Sequence, residues 1–130
     1  MKKVKLLVVG AGGRGSGYSK FSEAFPERVQ IIGVAEPRDH YRNQMVEKYA
    51  IPSENVFVDW KDAVSKEKFA DAVIIATQDT MHTEPALAFA EKGYNILLEK
   101  PMAPNADECK KIVEAVKKVN VIFGVCHVLR

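Results

Sequence analysis

Val4-Lys5-Leu6-Leu7-Val8-Val9-Gly10-Ala11-Gly12-Gly13-Arg14-Gly15 is the stretch on which the fold turns. Its first half is apolar almost throughout, as a parallel strand covered by helices on both faces must be. Its second half satisfies G-x-G-x-x-G. Gly10 suits the tight turn after the strand, Gly12 lets backbone approach a diphosphate, and Gly15 permits close packing of the following helix. Gly13 and Arg14 complete the loop. The unsatisfied amides and positive end of that helix make an anion site that needs no cationic side chain. A glycine cluster alone is also an ordinary turn, so the reading depends on what surrounds it.

Working outward, Ser16 to Phe25 reads as a helix closed by Pro26, and Val29 to Ala35 as a second strand. Strand, helix and strand together take about 30 residues, the length of a βαβ unit. Glu36 ends the second strand about 20 residues beyond Gly15, where a carboxylate can accept both hydroxyls of an adenosine ribose. It would repel a 2′-phosphate, which favours NAD while leaving NADP open. Arg38 is placed to stack on adenine, to take that phosphate, or simply to be solvated. S-adenosylmethionine-dependent methyltransferases share the layout of glycine loop and acidic residue. The third glycine, Gly15, leans toward a dinucleotide.

The same rhythm continues to the end of the sequence. Asp39 is expected to cap a helix through Tyr49, followed by a short strand at Val56 to Val58 and a helix over 60–68. Ala72 to Ala76 reads as a strand, Pro85 as the opening of a helix that ends at Gly93, and Ile96 to Leu98 as a further strand. Asn105 with Glu108 forms a variant capping box for a helix whose Cys109, Ile112, Val113, Val116 and Val119 recur at helical spacing, before a last strand at Val121 to Val125. Alternating strands and helices predict a Rossmann doubly wound α/β fold. Its six parallel strands should run in the order 3-2-1-4-5-6 with helices on both faces.

Composition excludes several classes of function. The 130 residues fit one domain, and 47% hydrophobic with 28% charged residues describes a globular chain. With 19 Lys+Arg against 17 Asp+Glu, a net charge of +2 spread along the length gives no nucleic-acid groove or polybasic membrane patch. The apolar runs are far short of the roughly 20 residues of a membrane span. Cys109 and Cys126 have neither a CxxC partner nor a histidine at zinc spacing, so no metal site is expected and a reducing cytoplasm is the expected compartment.

Glu99-Lys100-Pro101, just past the fifth strand, makes the sequence specific. Together with Gly10 to Gly15 and with Thr77-Gln78-Asp79-Thr80-Met81-His82, it resembles the glucose-fructose oxidoreductase / inositol dehydrogenase / MocA group of NAD(P)-dependent oxidoreductases. The resemblance covers the whole chain as that group's N-terminal cofactor domain. Gln78-Asp79 departs from the Pro-Asn that many members carry. The resemblance implies a substrate and dimerisation domain downstream, hence a homo-oligomer in the complete protein, and a sugar, polyol or related secondary alcohol as substrate. It implies that Lys100 lies beside the nicotinamide and hydrogen-bonds the substrate oxygen that becomes a carbonyl, with Glu99 and Pro101 setting its position. A lysine suits that task, since three ammonium donors can hold an alkoxide-like oxygen.

Thr77, Gln78 and His82 are candidates for the same rim. The first two are expected to contact ribose and phosphates, and His82 either to orient the nicotinamide side or to cap the following helix. His40 and His127 receive no role. Tyr18 and Trp60 read as packing residues. Two other functions compete with a dehydrogenase: a non-catalytic nicotinamide-binding sensor or assembly module, and an enzyme that uses tightly held NAD for transient oxidation during glycoside cleavage.

Overall fold

Alternation along the strands sorts the core into two layers. In the computed structural model, which describes residues 2–77, 82–100, 102–103 and 105–126, the strands are β1 (Val4–Val9), β2 (Val29–Ala35), β3 (Val56–Phe57), β4 (Ala72–Ile75), β5 (Asn95–Glu99) and β6 (Phe123–Cys126). They form one parallel sheet in the order β3-β2-β1-β4-β5-β6, as the sequence predicts. Leu7, Val9, Val73, Ile75, Ile96 and Leu98 face one layer. The intervening Val8 and Ile74, with Ile31 and Val34, face the other. This period of two is what a sheet buried on both sides requires.

The helices follow the same division. α4 (Trp60–Ser65), α5 (Thr83–Glu91) and α6 (Ala106–Val119) contribute Ala63, Phe89 and Ile112 to the first layer, all fully buried. α1 (Gly13–Ser19) and α3 (Asp39–Tyr49) bring Tyr18 and Met45 to the second, while α2 (Phe21–Ala24) continues the path of α1. The strand after each crossover therefore re-enters the sheet with both faces covered.

Several element boundaries differ from the sequence reading, each for a local reason. The first helix opens at Gly13, not Ser16, because extended Gly12 caps it and its carbonyl accepts from Ser16 N at 2.9 Å. It also breaks at Lys20, whose N–H is shared between the carbonyls of Gly17 and Tyr18. Arg38 occupies the cap position expected of Asp39, whose carboxylate instead holds Arg42 at 2.5 Å. α4 covers only part of 60–68 and takes its cap from Asp59, which accepts from Lys61 N at 2.9 Å. α5 opens at Thr83, so Pro85 lies inside its first turn, where a missing N–H is harmless. β3 and β4 each stop a residue earlier than expected. β6 begins at Phe123, since Ile122 N donates to the Asn95 side chain at 2.9 Å. β5 runs on through Glu99. The Asn105 cap is as expected, with its side chain accepting from Glu108 N and donating to the Glu108 carboxylate, both at 3.0 Å.

Candidate functional site: a cleft at the carboxyl ends of the strands

β1 and β4 are neighbours, and the helices that follow them, α1 and α5, lie on opposite faces of the sheet. Such a reversal opens a crevice at the carboxyl ends of the strands. Here it is a cleft of about 890 Å³ whose walls include Val9, Gly10, Ala35, Glu36, Arg38, Trp60, Ala76, Thr77 and Thr83.

The glycine loop meets the cleft at Gly10, and two of its glycines are sterically compelled. Gly10 has φ +90°, and a Cβ there would stand 2.6 Å from the carbonyl oxygen of Ala76. At Gly15 a Cβ would fall 1.8 Å from the Gly10 carbonyl oxygen, so α1 can lie against the loop only with a bare α-carbon. A Cβ on Gly13 would meet nothing within 4 Å, and one on Gly12 would come 3.1 Å from the Arg38 guanidinium. Ser16 pins the loop from above, donating its hydroxyl to the Ala11 carbonyl at 2.8 Å.

Glu36 is only 1% exposed, yet its carboxylate is fully engaged. Oε1 accepts from Ala11 N at 2.8 Å and from Arg38 Nη2 at 3.0 Å, while Oε2 accepts from Arg38 N and Nε, both at 2.9 Å. The guanidinium carbon sits 4.2 Å from the Tyr41 ring centroid, a cation–π stack that holds the fork in place. Arg38 is thus held by Glu36 and Tyr41, although 57% of its side chain remains exposed to solvent. For Glu36 to accept ribose hydroxyls, those hydroxyls must replace donors that Arg38 supplies.

Burial pushes the Glu36 carboxyl up, but the hydrogen bonds from the Arg38 side chain and from the backbone of Arg38 and Ala11, with the Arg38 charge, outweigh it. The group is held below its ordinary 4.5. A carboxyl lowered in the folded chain stabilises the fold above its unfolded value, and that contribution is lost as pH falls through the folded value. Stability should therefore decline on the acid side of 4.5. Denaturant titrations followed by circular dichroism should show a flatter acid limb for Glu36→Gln, which has no carboxyl to protonate.

On the other side of the loop, Glu99 shares the strand face of Leu97, the face that α1 covers. It is 7% exposed. Tyr18 donates its hydroxyl to Glu99 Oε2, and Arg14 Nε lies 3.9 Å from Oε1. Lys100 follows directly, half-buried at the end of β5. His82 is completely buried just before α5, with Nε2 3.0 Å from the Thr77 carbonyl oxygen. That contact ties the rim after β4 to the helix start, a backbone-binding role. Gln78 and Pro101, also expected at the site, lie outside the described residues, as does His127.

The structure thus gathers Gly10, Glu36, Arg38 and Thr77 around one cleft and pairs Arg14 with Glu99 at the end of β5. Three residues go beyond the sequence reading. Trp60, read as packing, also lines the cleft. Thr83 lines it too and keeps a buried hydroxyl with no hydrogen-bond partner among the described residues. Tyr18 packs its ring as expected but spends its hydroxyl on Glu99. Its one legible sign is the spacing from Arg14, which puts both on one helix face.

A parallel sheet in this order, with a glycine cradle after its first strand and a buried carboxylate after its second, defines a dinucleotide-binding domain. The family model GFO_IDH_MocA, described as an oxidoreductase family with an NAD-binding Rossmann fold, matches residues 4–127, and the chain belongs to this family. It is 29% identical over 129 residues to the 2,7-anhydro-N-acetylneuraminate hydratase of Mediterraneibacter gnavus, covering 99% of this chain and 33% of the relative. It is 27% identical over 115 residues to the inositol 2-dehydrogenase of Klebsiella pneumoniae, covering 88% and 34%. Among solved structures, WlbA dehydrogenase from Chromobacterium violaceum, in complex with NADH and UDP-GlcNAcA, superposes with a TM-score of 0.88 at 22% identity, covering 97% of this chain and 35% of that one. At that identity the likeness speaks for the fold. The chain spans about a third of the length of the curated relatives it matches along most of its own length.

The described residues fit the NAD that the family binds. The cradle at Gly15 is closed to any side chain, the Glu36 carboxylate lies at the cleft wall, and the unpartnered Thr83 hydroxyl has an acceptor or donor still to find. Among the described residues no cluster of His, Cys, Asp and Glu could hold a metal ion, and no helix is long and apolar enough to cross a membrane.

Proposed function

We propose that the chain is the cofactor-binding part of a dehydrogenase that moves hydride between nicotinamide and a secondary alcohol on a sugar, polyol or related metabolite. The observation that carries this reading is the position of Glu99-Lys100. The pair stands at the carboxyl end of β5, on the same rim of the sheet as the glycine loop, and Glu99 is bonded to the helix that the loop opens. Ligands of open α/β sheets bind at that rim.

In this reading the amides at the start of α1 hold the diphosphate and Glu36 the adenosine ribose, with Arg38 released toward the adenine side. Thr77 and Thr83 offer hydroxyls to the middle of the cofactor. Bound nicotinamide supplies the two-electron hydride chemistry. Lys100 holds the substrate oxygen and donates hydrogen bonds as charge builds on it, a preorganised electrostatic role. The substrate's walls, the residue that takes the proton and the homo-oligomer contacts belong to the downstream domain the family resemblance implies. The absence of disulfide or metal patterns in the sequence supports a reducing, cytoplasmic setting.

A panel of sugars and polyols offered with NAD⁺ to the complete protein tests this reading. Reduced nicotinamide should accumulate with at least one of them. Tight NAD binding with no reduction across the panel would favour the sensor. The hydratase among the relatives favours a second reading, since a hydratase performs no net oxidation. In that case NAD would be recycled in place, product would form, and no free NADH would be released.

Glu36→Ala should weaken NAD⁺ by about tenfold or more, the loss expected when charged hydrogen bonds to ribose are removed. NADP⁺ should lose less, because the same change removes a negative charge from beside the 2′-phosphate. Isothermal calorimetry with both nucleotides checks it, and equal losses would refute the ribose contact.

A further inference from the structure

We propose that Tyr18 is a positioning residue for Lys100, acting through Glu99. The inference rests on the reading that Lys100 lies beside bound nicotinamide, and extends it to a residue outside the glycine motif and the Glu-Lys-Pro corner.

Glu99 is a buried carboxylate at the end of β5. A buried charge persists only where donors satisfy it. The Tyr18 hydroxyl is its direct donor, whereas Arg14 approaches only to 3.9 Å and keeps 53% of its side chain exposed. The Tyr18 ring is fixed in turn by the layer that holds Val8 and Ala11, directly beneath the glycine loop. β5 is separated from β1 by β4, so this bond reaches across the sheet. It joins the helix that starts at the diphosphate cradle to the residue preceding Lys100. Cofactor and lysine then share one rigid frame, and a placement error of about 1 Å in such a frame can cost a hundredfold in rate. A phenylalanine keeps the ring packing but leaves the buried Glu99 carboxylate without its direct donor, so the test needs a readout at Lys100 besides stability.

The test uses NAD⁺ as probe and the acylation rate of Lys100 as readout. The complete protein is treated with an amine-reactive ester, with and without saturating NAD⁺, and modification of each lysine is followed by peptide mass spectrometry. Lys92 and Lys111 serve as internal references. In the unaltered protein NAD⁺ should slow acylation of Lys100 several-fold. Tyr18→Phe, assayed below its melting temperature, should bind NAD⁺ within about twofold of normal yet lose at least half of the protection. Glu99→Leu removes the acceptor at the other end of the bond and should lose protection alike. The double variant should lose no more than either single one, as two ends of one interaction require.

Full protection in Tyr18→Phe at saturating NAD⁺ overturns the proposal, as do additive losses in the double variant. Should Tyr18→Phe fail to fold, full protection in Glu99→Leu overturns it equally. If NAD⁺ binds the unaltered protein without shielding Lys100, the placement of Lys100 beside the nicotinamide fails first and takes this inference with it. A failure confined to the variants removes Tyr18 alone.

Discussion

Gly15→Ala is expected to abolish NAD binding within the accessible concentration range and to lower the melting temperature sharply. The added carbon would lie 1.8 Å from the Gly10 carbonyl oxygen, a backbone atom that no rotamer change can move aside. Relief requires α1 to retreat from the loop. Overpacking of this kind costs roughly 1–3 kcal/mol, which in a domain of this size corresponds to a fall on the order of 10 °C. On the proposed reading the retreat also pulls the first-turn amides away from the diphosphate, so the effect on affinity should exceed about a hundredfold. Gly13→Ala is the matched control. Its Cβ has no neighbour within 4 Å and it begins the helix, so alanine should leave stability unchanged or raise it by up to about 1 kcal/mol. Differential scanning calorimetry and NAD⁺ titration of the two variants check the contrast. Equal melting temperatures would mean that α1 does not rest on the Gly10 carbonyl.

Lys100→Met in the complete protein should reduce turnover by about a hundredfold or more while leaving NAD⁺ affinity within a few-fold. Methionine keeps the length and the apolar stem of the side chain but offers no donor to the substrate oxygen. An interaction made chiefly in the transition state appears in kcat, whereas uniform binding appears in KM. Steady-state kinetics on the responsive sugar or polyol separates the two, and unchanged kcat would remove Lys100 from the chemistry. The contrast with Glu36→Ala is informative, since that variant should act mainly on cofactor affinity.

The strands and their order were legible because they depend on local, repeating signals. Six β-branched runs separated by helical patterns leave one economical sheet, and right-handed crossovers fix its sequence of strands. Gly10, Gly15 and Glu36 were legible because the loop and its acidic partner stand at a characteristic spacing along the chain. The errors fell at element ends. Whether Ser16 N or Gly13 begins the helix depends on which carbonyl the backbone meets, and Asp39 gave up the cap because Arg42 claimed its carboxylate. Such competitions are settled by neighbours that pattern does not rank.

By itself, then, the sequence determined the class of fold, the cradle and the acidic residue that answers it, since each is written in contiguous residues or in one βαβ interval. Only the tertiary structure decided who holds the carboxylates. Glu36 is gripped by the guanidinium of Arg38, two residues on, because Tyr41 in the first turn of α3 supplies a ring to stack on. Glu99 meets Tyr18 from 81 residues away because strand alternation turns it toward the face that α1 covers. A hydrogen bond between distant residues requires both the parity of a strand and the path of a crossover helix, and these exist together only once the sheet has assembled.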